Sequence, residues 1–280
     1  HKSIMISDWQ TNKIYFSELL ETKFPKCFSN IMESLKGLKV EPKFLEKTKD
    51  IWARDYMPIQ INDKKFIEYR YDPDYLQGNW KGSRDLKTYP DIVCDSINLP
   101  TEKSDLIMDG GNFVKSSDCV ILTEKIVKEN RLFYSKADLI KKLHDTFQVD
   151  KVVLIPPDKL DVYGHADGMI RFIDNSTVLI NHFYINDSVI QHRLKEAGLK
   201  SEPLNYKKRT NDKLNWAYIN FLQTKDLILL PKFDIDEDFE AYQQIENYYP
   251  DYKGKIAQVE MTEIVENEGA LNCIAWTIKE

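Results

Sequence analysis

The stretch Gly164-His165-Ala166-Asp167-Gly168-Met169-Ile170-Arg171-Phe172-Ile173-Asp174-Asn175-Ser176-Thr177-Val178-Leu179-Ile180 contains the unit that decides the fold. A polar landmark, Asp167, leads into the apolar run Met169-Ile170-Arg171-Phe172. Asp174-Asn175 turns the chain into a second run, Thr177-Val178-Leu179-Ile180. Short apolar runs split by Asn, Asp or Ser read as the two strands of a hairpin. The segment from Ser188 to Ala197 then reads as a helix stopped at Gly198, because glycine accepts the left-handed backbone that ends helices.

The same pattern recurs along the chain. Asp55 leads into Ile59-Gln60-Ile61, a turn at Asn62-Asp63-Lys64, and Phe66-Ile67-Glu68-Tyr69. Asp109 leads into Phe113-Val114, a turn at Ser116-Ser117-Asp118, and Val120-Ile121-Leu122. Asn220 leads into Phe221-Leu222, a turn at Thr224-Lys225-Asp226, and Leu227-Ile228-Leu229-Leu230. Cys273 leads into a last strand, Ile274-Ala275-Trp276-Thr277-Ile278. Successive landmarks are 54, 58, 53 and 53 residues apart. A period near 50 residues argues for repeated supersecondary units set around an axis.

Helices fall between the hairpins. Ser135 caps a helix over 136–147 whose Leu139, Ile140, Leu143 and Phe147 share a face. Further helices are read over Pro25–Lys36, stopped by Gly37, and over Asp236–Asn247. The strands Val152–Ile155 and Ile256–Val259 follow two of the helices, so each unit is hairpin–helix–strand. Ile4-Met5-Ile6 and Ile14-Tyr15-Phe16 are read as one more hairpin, closing the ring against the C-terminal strand. With 280 residues, five units of about 56 fit one domain over 1–280, and neither linker nor low-complexity stretch divides it.

Composition bounds the function. Apolar residues are 42% and charged residues 30%, enough of both for a globular core with a solvated surface. No apolar run approaches the ~18 residues of a membrane span, so no membrane partner is expected. The net charge of -6 and the scattered basic residues argue against nucleic acid and suit a small cationic ligand. Cys27, Cys94, Cys119 and Cys273 are far apart, with no C-x-x-C pair, which points to a reducing, cytoplasmic setting. The chain opens His1-Lys2-Ser3 with no apolar signal segment after it; a signal peptide already trimmed away is compatible with that opening.

Glycine is scarce, and five of the ten (Gly110, Gly111, Gly164, Gly168 and Gly269) lie within four residues of the polar candidates. Cys273 ends Glu268-Gly269-Ala270-Leu271-Asn272-Cys273, just before an apolar strand. A free cysteine there is most often a small buried hydrophobe; in a cationic or hydrogen-bonding setting it is a thiolate nucleophile. His165 and Asp167, two apart at a strand mouth, are expected on one face by strand alternation. Such a pair reads as a surface turn, a metal pair or a general acid–base with its carboxylate. A metal is disfavoured, since His144, His182 and His192 lack ligand spacing and His1 is terminal. Trp52-Ala53-Arg54-Asp55 reads alone as a salt-bridged turn, and Asp109-Gly110-Gly111-Asn112 as a hairpin turn. Asn220, in Tyr218-Ile219-Asn220-Phe221, reads as a buried Asn bonded to backbone.

Taken in order, Trp-x-Arg-Asp-x-x-Pro, Asp-Gly-Gly-Asn, His-x-Asp-Gly, Tyr-x-Asn-Phe and a near-terminal Asn-Cys-Ile resemble the agmatine deiminase / bacterial peptidylarginine deiminase family of the guanidine-modifying superfamily. The resemblance runs from about Trp52 to Trp276. It implies an α/β fold, the five-bladed α/β propeller or pentein. The chain departs from the family at Met57, where a glycine is usual, and in the loop before Cys273, which is glycine-rich in relatives.

The resemblance also implies the chemistry: hydrolysis of a guanidinium to a ureido group plus ammonia, without metal or organic cofactor. Asp55 and Asp167 hold the guanidinium, Cys273 attacks its carbon, and His165 serves as acid and then base. Asp109, Asn112, Trp52 and Asn220 are the further candidates for binding substrate or lining the pocket. Agmatine, giving N-carbamoylputrescine, is the first expectation. Free or peptidyl arginine deimination, amidino transfer and a non-catalytic propeller are the alternatives. A homodimer would be in keeping with the family.

Overall fold

The computed structural model describes residues 5–78 and 82–280. In chain order the strands are β1 (Lys13–Ser17), β2 (Lys43–Leu45), β3 (Ile59–Asn62), β4 (Lys65–Arg70) and β5 (Glu102–Ile107). There follow β6 (Val114–Lys115), β7 (Cys119–Thr123), β8 (Lys151–Ile155), β9 (Ile170–Phe172) and β10 (Thr177–Asn181). The chain ends with β11 (Lys200–Leu204), β12 (Leu222–Gln223), β13 (Ile228–Lys232), β14 (Ile256–Glu260) and β15 (Ala275–Ile278).

These strands form five three-stranded sheets, β3-β4-β5, β6-β7-β8, β9-β10-β11, β12-β13-β14 and β15-β1-β2. In each, the first pair is antiparallel and the second parallel. A parallel return needs a crossover, and a helix supplies it in every sheet: Pro25–Gly37, Pro90–Ser96, Lys136–Phe147, Ser188–Glu196 and Glu237–Tyr248. The result is the five-bladed α/β propeller that the resemblance implies, built of the repeated units that the periodicity predicts.

Burial follows position in the blade. Middle strands such as β7 (Cys119-Val120-Ile121-Leu122-Thr123) are covered on both faces and wholly buried. Third strands lie at the rim: β11 reads Lys-Ser-Glu-Pro-Leu and buries only Leu204. The helices turn one stripe inward, as Leu139, Leu143 and Phe147 show, while Ile140 is partly buried beside them. Among the described residues no helix is long and apolar enough to cross a membrane.

Two sequence expectations change. β1 does not pair with a strand at residues 4–6: Ile4 lies outside the described residues, Met5 and Ile6 carry no strand, and the Met5 amide donates to the Ser117 carbonyl. The antiparallel partner of β1 is β15, with Tyr15 opposite Trp276 and Phe16 opposite Ala275, so the two ends of the chain complete the fifth blade. In four of the five blades the first strand also begins one residue later than the apolar run suggests, while β3 begins at Ile59 as read. Short helical turns precede all five at Ala53–Tyr56, Gly110–Asn112, Ala166–Gly168, Trp216–Ile219 and Leu271–Ile274. Phe113, Met169 and Ile274 close such turns with backbone bonds to Gly110, Ala166 and Ala270, so they are not yet strand.

Candidate active site

The five short turns put the five landmarks at the ring axis. They touch in succession from the turn of Asp55 through those of Asp109 and Asp167 to that of Asn220, and the Cys273 turn packs against the first. Close approach depends on glycine. A Cβ on Gly110 would collide with the Arg54 carbonyl, and one on Gly269 with the Trp52 ring. A Cβ on Gly111 would stand 2.6 Å from both Asp55 Oδ1 and His165 Nδ1.

Cys273, His165, Asp55 and Asp167 are brought together and buried. The Cys273 thiol lies 3.2 Å from Asn220 Oδ1 and 3.6 Å from Asp167 Oδ2. His165 Nε2 donates to Asp109 Oδ2 at 2.8 Å, and its Nδ1 is 3.7 Å from Asp55 Oδ1. Asp55 Oδ1 also accepts from the Gly111 amide at 3.0 Å. The alternation expected for His165 and Asp167 does not hold, because Asp167 sits in a helical turn capped by His165 rather than on a strand. His165 reaches Asp109 and Asp55, whereas Asp167 reaches Asn272 and Cys273.

The remaining candidates divide. Asp109 is fully buried and shares Oδ2 between His165 and the Lys125 ammonium, 2.6 Å away. Asn112 is fully buried and spent on backbone: its Oδ1 accepts from the Thr123 and Ala166 amides at 2.9 and 3.2 Å, and its Nδ2 points to the Thr123 carbonyl. It pins the His165 turn through these bonds. Asn220 is likewise buried, bonding the Cys273 amide at 3.3 Å and the Asp167 carbonyl at 3.4 Å. Trp52 is partly buried, its indole against Gly269. Arg54 donates from Nε to the Asn272 carbonyl at 3.2 Å, tying the first turn to the last.

Two residues outside the sequence candidates complete the site. Lys125, 7% exposed, pairs with Asp109 and also lies 3.1 Å from Glu129 and 3.7 Å from Asp74. Asn272 Nδ2 donates to Asp167 Oδ2 at 3.0 Å. Lys125 is an isolated lysine after a strand, and no spacing in the sequence marks it. Asn272 stands beside the nucleophile in the Asn-Cys-Ile motif, and that adjacency is its only sequence signal.

Electrostatics follow from burial and from three neighbouring carboxylates. Burial works against charge on His165, yet Asp55, Asp109 and Asp167 outweigh it and raise the imidazole to about 10. Burial raises Asp55 to about 7, with His165 opposing and Asp109, Asp167 and Asp50 adding to the rise. Asp109 stays below the usual carboxylate range despite its burial, because Lys125 and His165 hold it ionised. The Cys273 thiol is pushed well above its ordinary value by burial and by Asp167 and Asp55, with Asn220 pulling the other way. The other cysteines are buried and stay protonated: Cys27, Cys94 and Cys119 are each pushed up to about 12, chiefly by desolvation. An acidic pocket with one thiol and one imidazolium is built to receive a cation beside a nucleophile.

Comparison with known proteins agrees with this chemistry. The Porphyromonas-type peptidyl-arginine deiminase family matches residues 29–278. A relative from Enterococcus faecalis, named for agmatine deiminase, is 26% identical over 273 residues, covering 80% of this chain and 73% of its own. Among solved structures, the C. jejuni agmatine deiminase superposes with a TM-score of 0.76 at 16% identity, covering 99% of this chain and 96% of that one. DDAH from Pseudomonas aeruginosa superposes with a TM-score of 0.60 at 11% identity, covering 96% and 99%. The fold is therefore shared with agmatine deiminase and DDAH, and the family match spans most of the chain and all five landmarks. The chain belongs to the Porphyromonas-type peptidyl-arginine deiminase family, whose members are hydrolases acting on guanidino groups.

Proposed function

We propose that the chain is an agmatine deiminase, hydrolysing the guanidinium of agmatine to a ureido group with release of ammonia. The observation that carries the reading is the convergence of Cys273, His165, Asp55 and Asp167 in one buried acidic pocket. Asp55 and Asp167 grip the planar cation through charge-assisted hydrogen bonds and hold its carbon for attack. The bound cation offsets the carboxylates that keep the Cys273 proton in place, so it favours the thiolate. The S–C bond forms, the C–N bond breaks, and the His165 imidazolium gives its proton to the departing nitrogen. Neutral His165 then takes one proton from water, whose oxygen bonds to the same carbon; the C–S bond breaks, the thiolate returns, and the remaining hydroxyl proton passes to solvent as the ureido carbonyl forms. Asp109, held ionised by Lys125, orients the imidazole.

Agmatine is favoured over arginine by the carboxylates around Tyr163, beside His165. Tyr163, whose ring centroid is 6.1 Å from that of His165, is raised to about 12 by burial and then by Glu268 and Asp161. Carboxylates there attract a distal ammonium and repel an α-carboxylate. Two cations near the site, Lys125 and Arg54, are already bonded. The free, buried cysteines support a reducing, cytoplasmic setting. The test is turnover of agmatine, free arginine and a blocked arginine peptide, followed by ammonia and ureido product. Agmatine should be preferred, and absence of turnover on all three overturns the reading. Cys273→Ala should lose activity while keeping the fold; a fully active variant would sink the covalent route.

A further inference from the structure

A small cavity adjoins the candidate active site and shares Asp167 and Asn272 with it. It is lined by Asp8, Arg54, Lys115, Asp167 and Arg171, and by none of Cys273, His165, Asp55 or Asp109. Lys115 and Arg171 stand on the inner strands β6 and β9, six and four residues beyond the landmarks Asp109 and Asp167. The volume is ≈ 30 Å³, room for one water or one halide ion and too little for phosphate or a carboxylic acid.

Its charges do not balance. Three cations face two carboxylates, and one of these, Asp167, is engaged by Asn272 and Cys273. Asp8 Oδ2 pairs with Arg171 Nη2 at 3.4 Å, and its Oδ1 has no partner. Arg171 Nη1 donates to the Phe221 and Ile219 carbonyls, which leaves Nε, in a residue only 6% exposed, without an acceptor. Lys115 is 8% exposed; its ammonium makes no hydrogen bond or ion pair among the described residues but, unlike Arg171 Nε, is not wholly cut off from solvent. Burial, helped by Arg54 and opposed by Asp8, pushes that ammonium down to about 8. A buried cation without an acceptor is costly, and either proton loss or a bound anion relieves it. Proton loss from Lys115 would leave the Arg171 donor still unmet; one anion between them serves both.

We propose that this cavity is a binding site for a single small monovalent anion of halide size, held by Lys115 and Arg171 with Arg54 behind. The anion is a fixed structural charge that takes no part in bond making, although Asp167 and Asn272 of the candidate active site line the same cavity. Crystals grown in bromide should show an anomalous peak between Lys115 and Arg171. Thermal unfolding at constant ionic strength, with chloride replacing gluconate, should move to higher temperature. At a hundred-fold excess of chloride over its dissociation constant, the folded-to-unfolded ratio should rise about 100-fold. Lys115→Met should abolish that dependence. A cavity holding only water in bromide crystals, or an unfolding midpoint indifferent to chloride, overturns the proposal. Equal stabilisation by sulfate at the same ionic strength also overturns it, since sulfate is too large to enter. The bromide result on the unaltered protein decides the matter even if Lys115→Met fails to fold.

Discussion

Gly111 separates the Asp55 carboxylate from the His165 imidazole, and it does so by having no side chain. Gly111→Ala would push a methyl to 2.6 Å from both groups, and one or both must move. Displacement near 1 Å at reacting groups costs on the order of 100-fold in rate. We expect kcat/KM for agmatine to fall about 100-fold while the circular dichroism spectrum stays unchanged. The same pair sets the pH profile. Asp55 must be ionised to hold a guanidinium, and it loses its proton at about 7. His165 must be protonated to act as acid, and it loses its proton at about 10. Cys273 must also lose a proton that burial, Asp167 and Asp55 hold well above its ordinary value, so the kcat/KM profile should begin to rise as pH passes about 7, keep rising above it, and fall only as His165 loses its proton at about 10, the limbs belonging to the coupled group as a whole. A profile falling between 6 and 7, as for an ordinary histidine acid, would refute this ordering. Cys273, His165, Asp55 and Asp167 were legible through the resemblance of their ordered motifs to a known family; each alone reads as a buried hydrophobe, a surface turn or a salt-bridged turn. Lys125 was not legible, since its partner Asp109 is 16 residues away on another turn and only the fold joins them. Asn112 was legible as a polar residue beside a glycine pair, but its commitment to the Thr123 and Ala166 backbone was not.

At the level of elements, the sequence reveals what is buried on one face or both. The middle strands and four of the five crossover helices carry continuous or periodic apolar residues and stand where the pattern puts them; the short helix Pro90–Ser96 is not among those read from the sequence. The rim strands β2, β5 and β11 do not show, because one edge and much of both faces meet water. Glu102-Lys103-Ser104-Asp105-Leu106-Ile107 has the composition of a loop and becomes strand by pairing with β4. Pro203 in β11 fits an edge strand, whose outer side needs no donor. Helix ends were readable where a side chain does the capping. Ser135 Oγ accepts from the Asp138 amide at 3.1 Å and starts the helix Lys136–Phe147. Ser135→Ala should lower stability by about 1 kcal/mol in urea titration, with activity unchanged. Ser135→Asp, which restores an acceptor, should recover most of that loss.

The ring is closed by its two ends, and that closure couples the blades. Trp276 of β15 is 3% exposed, donates from its indole nitrogen to the Pro58 carbonyl at 2.9 Å, and packs on Tyr15 and Phe66. One side chain thus links the last strand, the first strand and the first full blade. The Cys273 turn immediately precedes β15, so Cys273 is placed by the same closure. We infer that the 280 residues unfold as one cooperative domain rather than blade by blade. Truncating a large buried aromatic costs about 3–5 kcal/mol. Trp276→Ala should lower stability by about that amount and shift a single transition, with tryptophan fluorescence and far-UV circular dichroism moving together. Separate transitions, with the helices surviving the loss of the fifth blade, would instead mean that the modules hold themselves and that closure serves the active site alone.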